Sequence, residues 1–382
     1  MLYFDHCAST PPYDEVVQTM MEVMRSQYAN PSSLHRLGAD ADKLIERSRA
    51  LVAQQLQTTK GEWIFTSGGT ESNNLAIKGV ARQYQGRGKH LITTQIEHAS
   101  VYESFKQLEQ EGFRVTYLPV DRSGHVRPEH VIEAITDETI LVSIMHVNNE
   151  LGTIQPIEEI GMRLKQYPKI LFHVDAVQSI GKLPIAIEQW GIDLLSGSAH
   201  KLRGPKGVGF LYLRSGITLY PLFTGGTQEG KQRAGTQNVP GIVASAKALR
   251  MSLESQTQRN QKHASLKSQL NSIIDDIPEL KRNGGEPSSS HIVHFSYPGM
   301  KPEVIIHMLE QHGIMASTKS ACSSKDDKPS RVLLAIGASH EQATGGIRIS
   351  FGDEHAERDI AALGTALRLV VEHLKPLERR LT

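Results

Sequence analysis

Between Trp63 and Leu213 the chain repeats one pattern seven times: a short run rich in β-branched and aromatic residues, then a polar or helical stretch. The runs are "WIFTS", "HLITTQI", "RVTYLPV", "TILVSIMHV", "KILFHVDAV", "DLLSGSA" and "GVGFLYL". Most are separated by enough chain for a helix, and strands spaced in this way are joined by crossovers rather than tight hairpins. The pattern predicts an α/β fold: a mainly parallel, seven-stranded sheet covered by helices on both faces.

Beyond the last run the pattern changes. "PGIVASAKALRMSLESQTQRNQKHASLKSQLNSII" reads as long helical material after a proline start, ending near "DDIPEL". "HIVHFSY", the Pro-started helix "KPEVIIHMLEQHG" and "GIRISFG" then predict a smaller α+β unit. A chain of 382 residues exceeds the size at which one hydrophobic core usually stops growing. A large domain over residues 1–255 and a small one over 256–382 are therefore expected, with the N-terminal segment free to pack on the small domain. "EPSSS" reads as a loop, and no sequence segment is repeated along the chain.

Charge and cysteine content exclude several classes. Forty-two basic side chains against 41 acidic ones give no net field to recruit nucleic acid or a membrane. No window approaches the roughly 18 uninterrupted apolar residues of a membrane span, and "MLYFDHCASTPP" lacks the layout of a secretory signal. Two cysteines make no disulfide framework and point to the reducing cytoplasm. With no Cys-x-x-Cys and no clustered Cys/His set, no metal site is expected.

One of those cysteines lies in "STKSACSSKDDKPS", among serines and lysines rather than apolar neighbours. A buried structural thiol behaves as a small hydrophobe, so Cys322, near Lys319, Lys325 and Lys328, reads as reactive. Three other stretches carry chemistry. "LLSGSAHKLRGPKGVGFLYL" places Lys201 in a turn after a strand, where α/β sheets bind ligands. There a lysine can form a Schiff base with an aldehyde, and Ser198 and His200 can contact a phosphate; the alternative is a solvated loop lysine. "FTSGGTESNNLAIKGVA" ends a strand in glycines and opens a helix near Gly69 and Thr70, leaving free N–H groups for an anion. "FHVDAVQSIGK" runs an apolar strand into Asp175 and Gln178. A carboxylate so placed needs a partner, such as a protonated pyridine nitrogen, unless it merely caps the next turn. "GGTQEGKQ" has the glycine and lysine spacing of a Walker loop, but Gln232 stands where Ser or Thr should hold magnesium.

A lysine, a strand-end aspartate and a helix-start anion site are what pyridoxal phosphate requires. Here a resemblance becomes specific. "YFDHCASTP", "NPSSLHRLG", "FTSGGTESNN", "EHASV", "HVNNELGT", "HVDAVQSIGK", "SGSAHKLRGPKGVG", "RAGTQNVPGIV", "SACSS" and "IRISFG" occur in this order. The chain resembles the cysteine desulfurases of the NifS/IscS type, in the class V aminotransferase group of fold-type I pyridoxal phosphate enzymes.

The resemblance implies roles for single residues. Lys201 would join the cofactor's aldehyde, Asp175 would hold its pyridinium nitrogen, and His98 would stack on the ring and move protons. Asn149 and Gln178 would contact the phenolate oxygen; of the pair Asn148 and Asn149, the second directly precedes the glutamate, as in the family. Gly69, Thr70, Ser198 and His200 would bind the phosphate, with Thr236 reaching in from the second subunit of a homodimer. Arg348 would clamp the carboxylate of L-cysteine, a task for a planar guanidinium. Cys322 would take the sulfur as a persulfide, leaving alanine, and pass it to an acceptor protein.

Two positions depart from the family's pattern. Cys7 replaces the usual Ala and either fills space or is open to oxidation, the first being the simpler reading. The segment after "SAC" is more charged than in scaffold-serving members and resembles the NifZ-like enzymes that supply tRNA thiolation; iron–sulfur cluster assembly is the other destination. The rival readings are a selenocysteine lyase or another aminotransferase-group enzyme, which would share Lys201 and Asp175, and a cofactor-free sulfur carrier or metal-binding protein built on Cys322.

Overall fold

A computed structural model describes residues 1–318 and 328–378. The chain opens with a two-residue strand, β1 (Leu2–Tyr3). The seven expected strands follow as β2 (Gly61–Thr66), β3 (His90–Thr94), β4 (Arg114–Leu118), β5 (Thr139–Met145), β6 (Leu171–Asp175), β7 (Leu194–Ser198) and β8 (Gly209–Arg214). They form one sheet in the order β2-β8-β7-β6-β5-β3-β4. The pairs from β4 through β7 are parallel, while β8 runs antiparallel to both β7 and β2. Reversing β8 alone leaves the carboxyl ends of the other six strands on one edge, which is where such sheets bind ligands.

Side-chain alternation assigns the two faces. Trp63 and Phe65 of β2 and Phe172 and Val174 of β6 point into one apolar cluster with Ile45, Val52, Ile242 and Leu249 of the helices Arg36–Gln55 and Val239–Glu254. Ile64 and Leu171, one residue out of phase, point into the other. That second cluster is closed by Leu75, Val80, Val101 and Phe105 of the helices Gly69–Tyr84 and Ala99–Gln110. The central strands β5 and β6 are buried along their whole length, as covering both faces of a parallel sheet demands.

The long helical stretch is two helices, Val239–Glu254 and Gln256–Asp275, that meet at Ser255. The second helix leads into a three-stranded antiparallel sheet of β9 (Lys281–Arg282), β10 (Ile292–Ser296) and, after the short β11 (Ile314–Met315), β12 (Gly346–Ser350). Its core holds Leu266, Leu270, Val293, Phe295, Ile347, Ile349, Leu363 and Val370. Phe4 is buried in this same cluster, and β1 pairs in parallel with β11, so the first residues of the chain belong to the late unit's packing.

Candidate active site

Five strand ends, those of β2, β3, β5, β6 and β7, deliver one set of side chains to the common edge. Asp175, the last residue of β6, is buried and doubly bonded: Oδ1 accepts from the Val177 N–H at 3.0 Å and Oδ2 from Asn73 Nδ2 at 2.8 Å. Burial pushes its carboxyl pKa up, while those bonds and the Lys201 charge pull it down. It therefore both caps the turn and presents a carboxylate to the cavity. Asn73 also donates to Ser100 Oγ at 2.9 Å, and Ser100 Oγ lies 2.8 Å from His98 Nδ1.

His98 caps the helix Ala99–Gln110, its Nδ1 accepting from the Ser100 N–H at 3.1 Å. An imidazole that accepts at Nδ1 carries its proton on Nε2. Burial first, then the cations Lys201, Arg331 and Arg348, lower its pKa to about 4, so the ring is neutral near pH 7.

Lys201 ends a single 3-10 turn, Ala199–Lys201, directly after β7. Its Nζ donates to the carbonyls of Cys7 and Ala8, the latter at 2.7 Å. Burial, with the nearby cations Arg348 and Lys182, lowers its pKa to about 8, which brings the neutral, nucleophilic amine within reach of physiological pH.

The anion end lies between β2 and β7. Ser198 is buried, and its Oγ has no hydrogen-bond partner among the described residues. Gly69 opens the helix facing it; an added Cβ there would meet Val177 Cγ2 at 2.7 Å and Ser198 Cβ at 3.4 Å. The glycine keeps that space open beside the free N–H groups of the first turn. His200 also faces the cavity, held neutral by burial and by the Lys201, Lys206 and Lys182 charges, with a pKa of about 4.

The opposite wall comes from the late unit. Arg348 of β12 is almost fully buried; Nη2 meets Asp5 Oδ1 at 3.0 Å, Nη1 donates to the Asn149 carbonyl at 2.8 Å, and Nε has no partner among the described residues. The structure separates the paired asparagines. Asn148 is spent on the turn, its Oδ1 accepting from the N–H groups of Glu150 and Leu151 and its Nδ2 donating to the Ile96 carbonyl, while Asn149 lines the cavity.

A cavity of about 150 Å³ is thus lined by Gly69, Thr70, His98, Asn149, Asp175, Gln178, Ser198, His200, Lys201 and Arg348 together. These are ten of the twelve residues singled out in the sequence. Thr236 lies outside this cavity and is exposed in this chain, and Cys322 lies outside the described residues. The sequence reading missed Asn73 and Ser100; both follow motifs it used, one helical turn past Gly69 and two residues past His98. Cys7 also lines the cavity, its side chain packed with Val147 and Ile292. The Walker-like turn has another task. Glu229, buried within it, accepts from the Arg49 guanidinium at 2.7 and 3.2 Å and from the Phe65 N–H at 3.0 Å, tying the turn to β2.

These residues fit pyridoxal phosphate. A lysine amine, a buried carboxylate, a neutral imidazole and an unpaired serine hydroxyl beside a glycine-opened helix start match the aldehyde, ring nitrogen, ring face and phosphate. Sheet and cavity define a fold-type I pyridoxal phosphate enzyme. The family model "Aminotransferase class-V" matches residues 2–363. "Cysteine desulfurase IscS" of Clostridium botulinum (strain Hall) is 45% identical over 363 residues, 94% of this chain and 91% of that protein. "Putative cysteine desulfurase IscS 1" of Bacillus subtilis (strain 168) is 41% identical over 100% of this chain and 99% of its own length. A solved "NIFS-LIKE PROTEIN" superposes with a TM-score of 0.89 at 37% identity, covering 98% and 99% of the two chains. The chain belongs to the class-V aminotransferase family, among its cysteine desulfurases of the NifS/IscS type.

Proposed function

We propose that this protein takes sulfur from L-cysteine, leaving L-alanine, with Lys201, Asp175, His98 and Arg348 as the working side chains and Cys322 as the sulfur acceptor. The observation that carries this reading is the convergence of an amine, a carboxylate, an imidazole and a guanidinium from four separate chain segments on one cavity. When bound, pyridoxal phosphate supplies the electron sink that acidifies the substrate's Cα proton and makes its sulfur electrophilic. Asp175 would hold the ring nitrogen, and Thr70, Ser198 and His200 the phosphate. Arg348 orients the substrate carboxylate through its free Nε edge, while Lys201 holds and moves the proton at Cα. His98, neutral with its proton on Nε2, donates on the ring side. The Cys322 thiolate attacks the substrate sulfur; the carbon–sulfur bond breaks, the electron pair and protons go to carbon, and Cys322 becomes a persulfide.

The protein is read as a homodimer in which Thr236 completes the partner's phosphate site. Its exposure fits this, as do the exposed apolar side chains of Met21, Met24, Tyr28, Tyr220 and Phe223. The break at Ser255 supports dividing the chain into domains at 255/256. The sulfur acceptor is read as a tRNA thiolation enzyme, in keeping with the charges around Cys322, or an iron–sulfur scaffold. No helix among the described residues is long and apolar enough to cross a membrane, and the cytoplasm is the proposed compartment.

Incubating the purified yellow protein with L-cysteine tests the reading. Alanine and a persulfide on Cys322, seen by mass spectrometry, should appear together, and Cys322→Ala should stay yellow yet release almost no alanine. Transamination without sulfur release would favour an aminotransferase instead.

A further inference from the structure

Lys182 has no part in the chemistry above, yet it is a partly buried ammonium seven residues past Asp175. Its Nζ donates to Gln178 Oε1 at 3.1 Å. Gln178 Nε2 in turn donates to the Cys7 carbonyl at 3.0 Å, the same carbonyl that accepts from Lys201 Nζ. A glutamine side chain has two nearly identical ends, and its neighbours decide which way it faces. Lysine carries donors only. Contact with Lys182 therefore turns the Gln178 oxygen outward and leaves its NH₂ as the group that faces Cys7 and the cofactor cavity.

The charge environment adds a second constraint. A small cavity of about 30 Å³ lies behind the site, and Lys182 and Lys201 both line it. Arg203, from the turn after β7, and Arg259, from the helix Gln256–Asp275, add positive charge. The histidines His6, His263 and His291 face it from three other segments, and Asp353 is the one carboxylate in its lining among the described residues. Burial lowers the Lys182 pKa to about 8, with Cys7 opposing and the Arg259 and Arg348 cations contributing, so the ammonium is present in most of the neutral range. It stands close enough to lower the affinity of Lys201 for a proton.

We propose that Lys182 is a positioning residue for the cofactor lysine: through Gln178 it fixes a hydrogen-bond donor toward the ring, and its charge opposes a second positive charge on the Lys201 nitrogen. The inference rests on the cofactor reading above. The two effects act in one direction. Removing Lys182 leaves the Cys7 carbonyl as the one remaining contact among those above that orients the Gln178 amide, which loosens the donor toward the ring's phenolate oxygen. It also removes a neighbouring cation. Both changes make the nitrogen between Lys201 and the cofactor easier to protonate.

The test is a pH titration of the visible absorption band of the holoenzyme without substrate. In Lys182→Met the transition should move up by about 1 pH unit. Lys182→Arg keeps a cation with only donors and should stay near the unaltered protein. Lys182→Gln keeps a polar head for folding but not the charge, and should shift upward like Lys182→Met; it decides the matter if the methionine variant does not fold. An unshifted transition in the Met or Gln variant, or an equal shift in the Arg variant, would overturn the proposal. If the unaltered protein showed no visible band, the cofactor reading would fail first and the inference with it; a visible band that does not titrate would overturn the inference alone.

Discussion

The two walls of the cavity are built by different means. On the main-sheet wall, Gly69, His98, Asp175 and Lys201 each lie within a few residues of a strand end, and Asn73 and Ser100 tie His98 to Asp175. On the facing wall Arg348 stands within β12 and is held by Asp5, 343 residues away in sequence, and by the Asn149 carbonyl. The first wall is a property of one sheet and its turns. The second exists only when the N-terminal segment and the late unit are docked together. In the function proposed above, chemistry belongs to the first wall, and substrate placement to the second.

Breaking the first wall should have the largest effect. Lys201→Ala removes the proposed proton carrier and should lower the rate of alanine release by about 10³-fold or more. The variant should still fold, because the lost contacts are hydrogen bonds to two carbonyls of a loop. Borohydride reduction of the unaltered protein should fix the cofactor to Lys201; fixation to Lys206 instead would displace the whole first wall.

Loosening the second wall should act differently. Asp5→Asn keeps the shape but takes away the charge that holds Arg348 Nη2. A lost charged hydrogen bond of about 1.5 kcal/mol corresponds to roughly tenfold, expected as a rise in KM for cysteine with kcat little changed. Steady-state kinetics separates the cases. An equal fall in kcat would mean that Arg348 takes part in the chemical step and that the contrast between the walls is false.

The same contrast explains what could be read from sequence. The seven strands announce themselves by composition, and each first-wall residue sits where a β-rich run stops, so Lys201, Asp175 and His98 were accessible from local pattern together with the resemblance. Asn73 was not, because its role depends on which face of the helix Gly69–Tyr84 meets β6. The Arg348–Asp5 pair was not, since nothing local links residues at opposite ends of the chain. The reversal of β8 is likewise a tertiary choice, as its run "GVGFLYL" looks like its neighbours. The break at Ser255 falls in "SLESQTQ", where neither glycine nor proline marks it; there the Ser255 hydroxyl bonds back to the Met251 carbonyl.

The smallest effect probes how the first wall is anchored from behind. Glu97, next to His98 but outside the cavity lining, is buried, with Oε1 accepting from Thr94 Oγ1 at 2.7 Å and from the Met145 N–H at 3.0 Å. Oε2 has no partner among the described residues. Burial dominates over those bonds and raises its pKa to about 8, so the folded protein holds it as a neutral acid. The sign follows from linkage: the unfolded chain ionises Glu97 near its ordinary pKa, the folded chain only near 8. Its contribution to stability is thus full below the ordinary value and is lost as pH rises to about 8. Glu97→Gln keeps the carbonyl acceptor for Thr94 and Met145 while removing the ionisable group. The variant should be more stable than the unaltered protein at pH 8, by about 2 kcal/mol, and should lose much of that advantage by pH 5. Thermal melts across this range measure it. A constant difference at every pH would mean that Glu97 is ionised in the fold, with its charge met from elsewhere, and that the strand-end wall rests on an ion pair instead of a buried neutral acid.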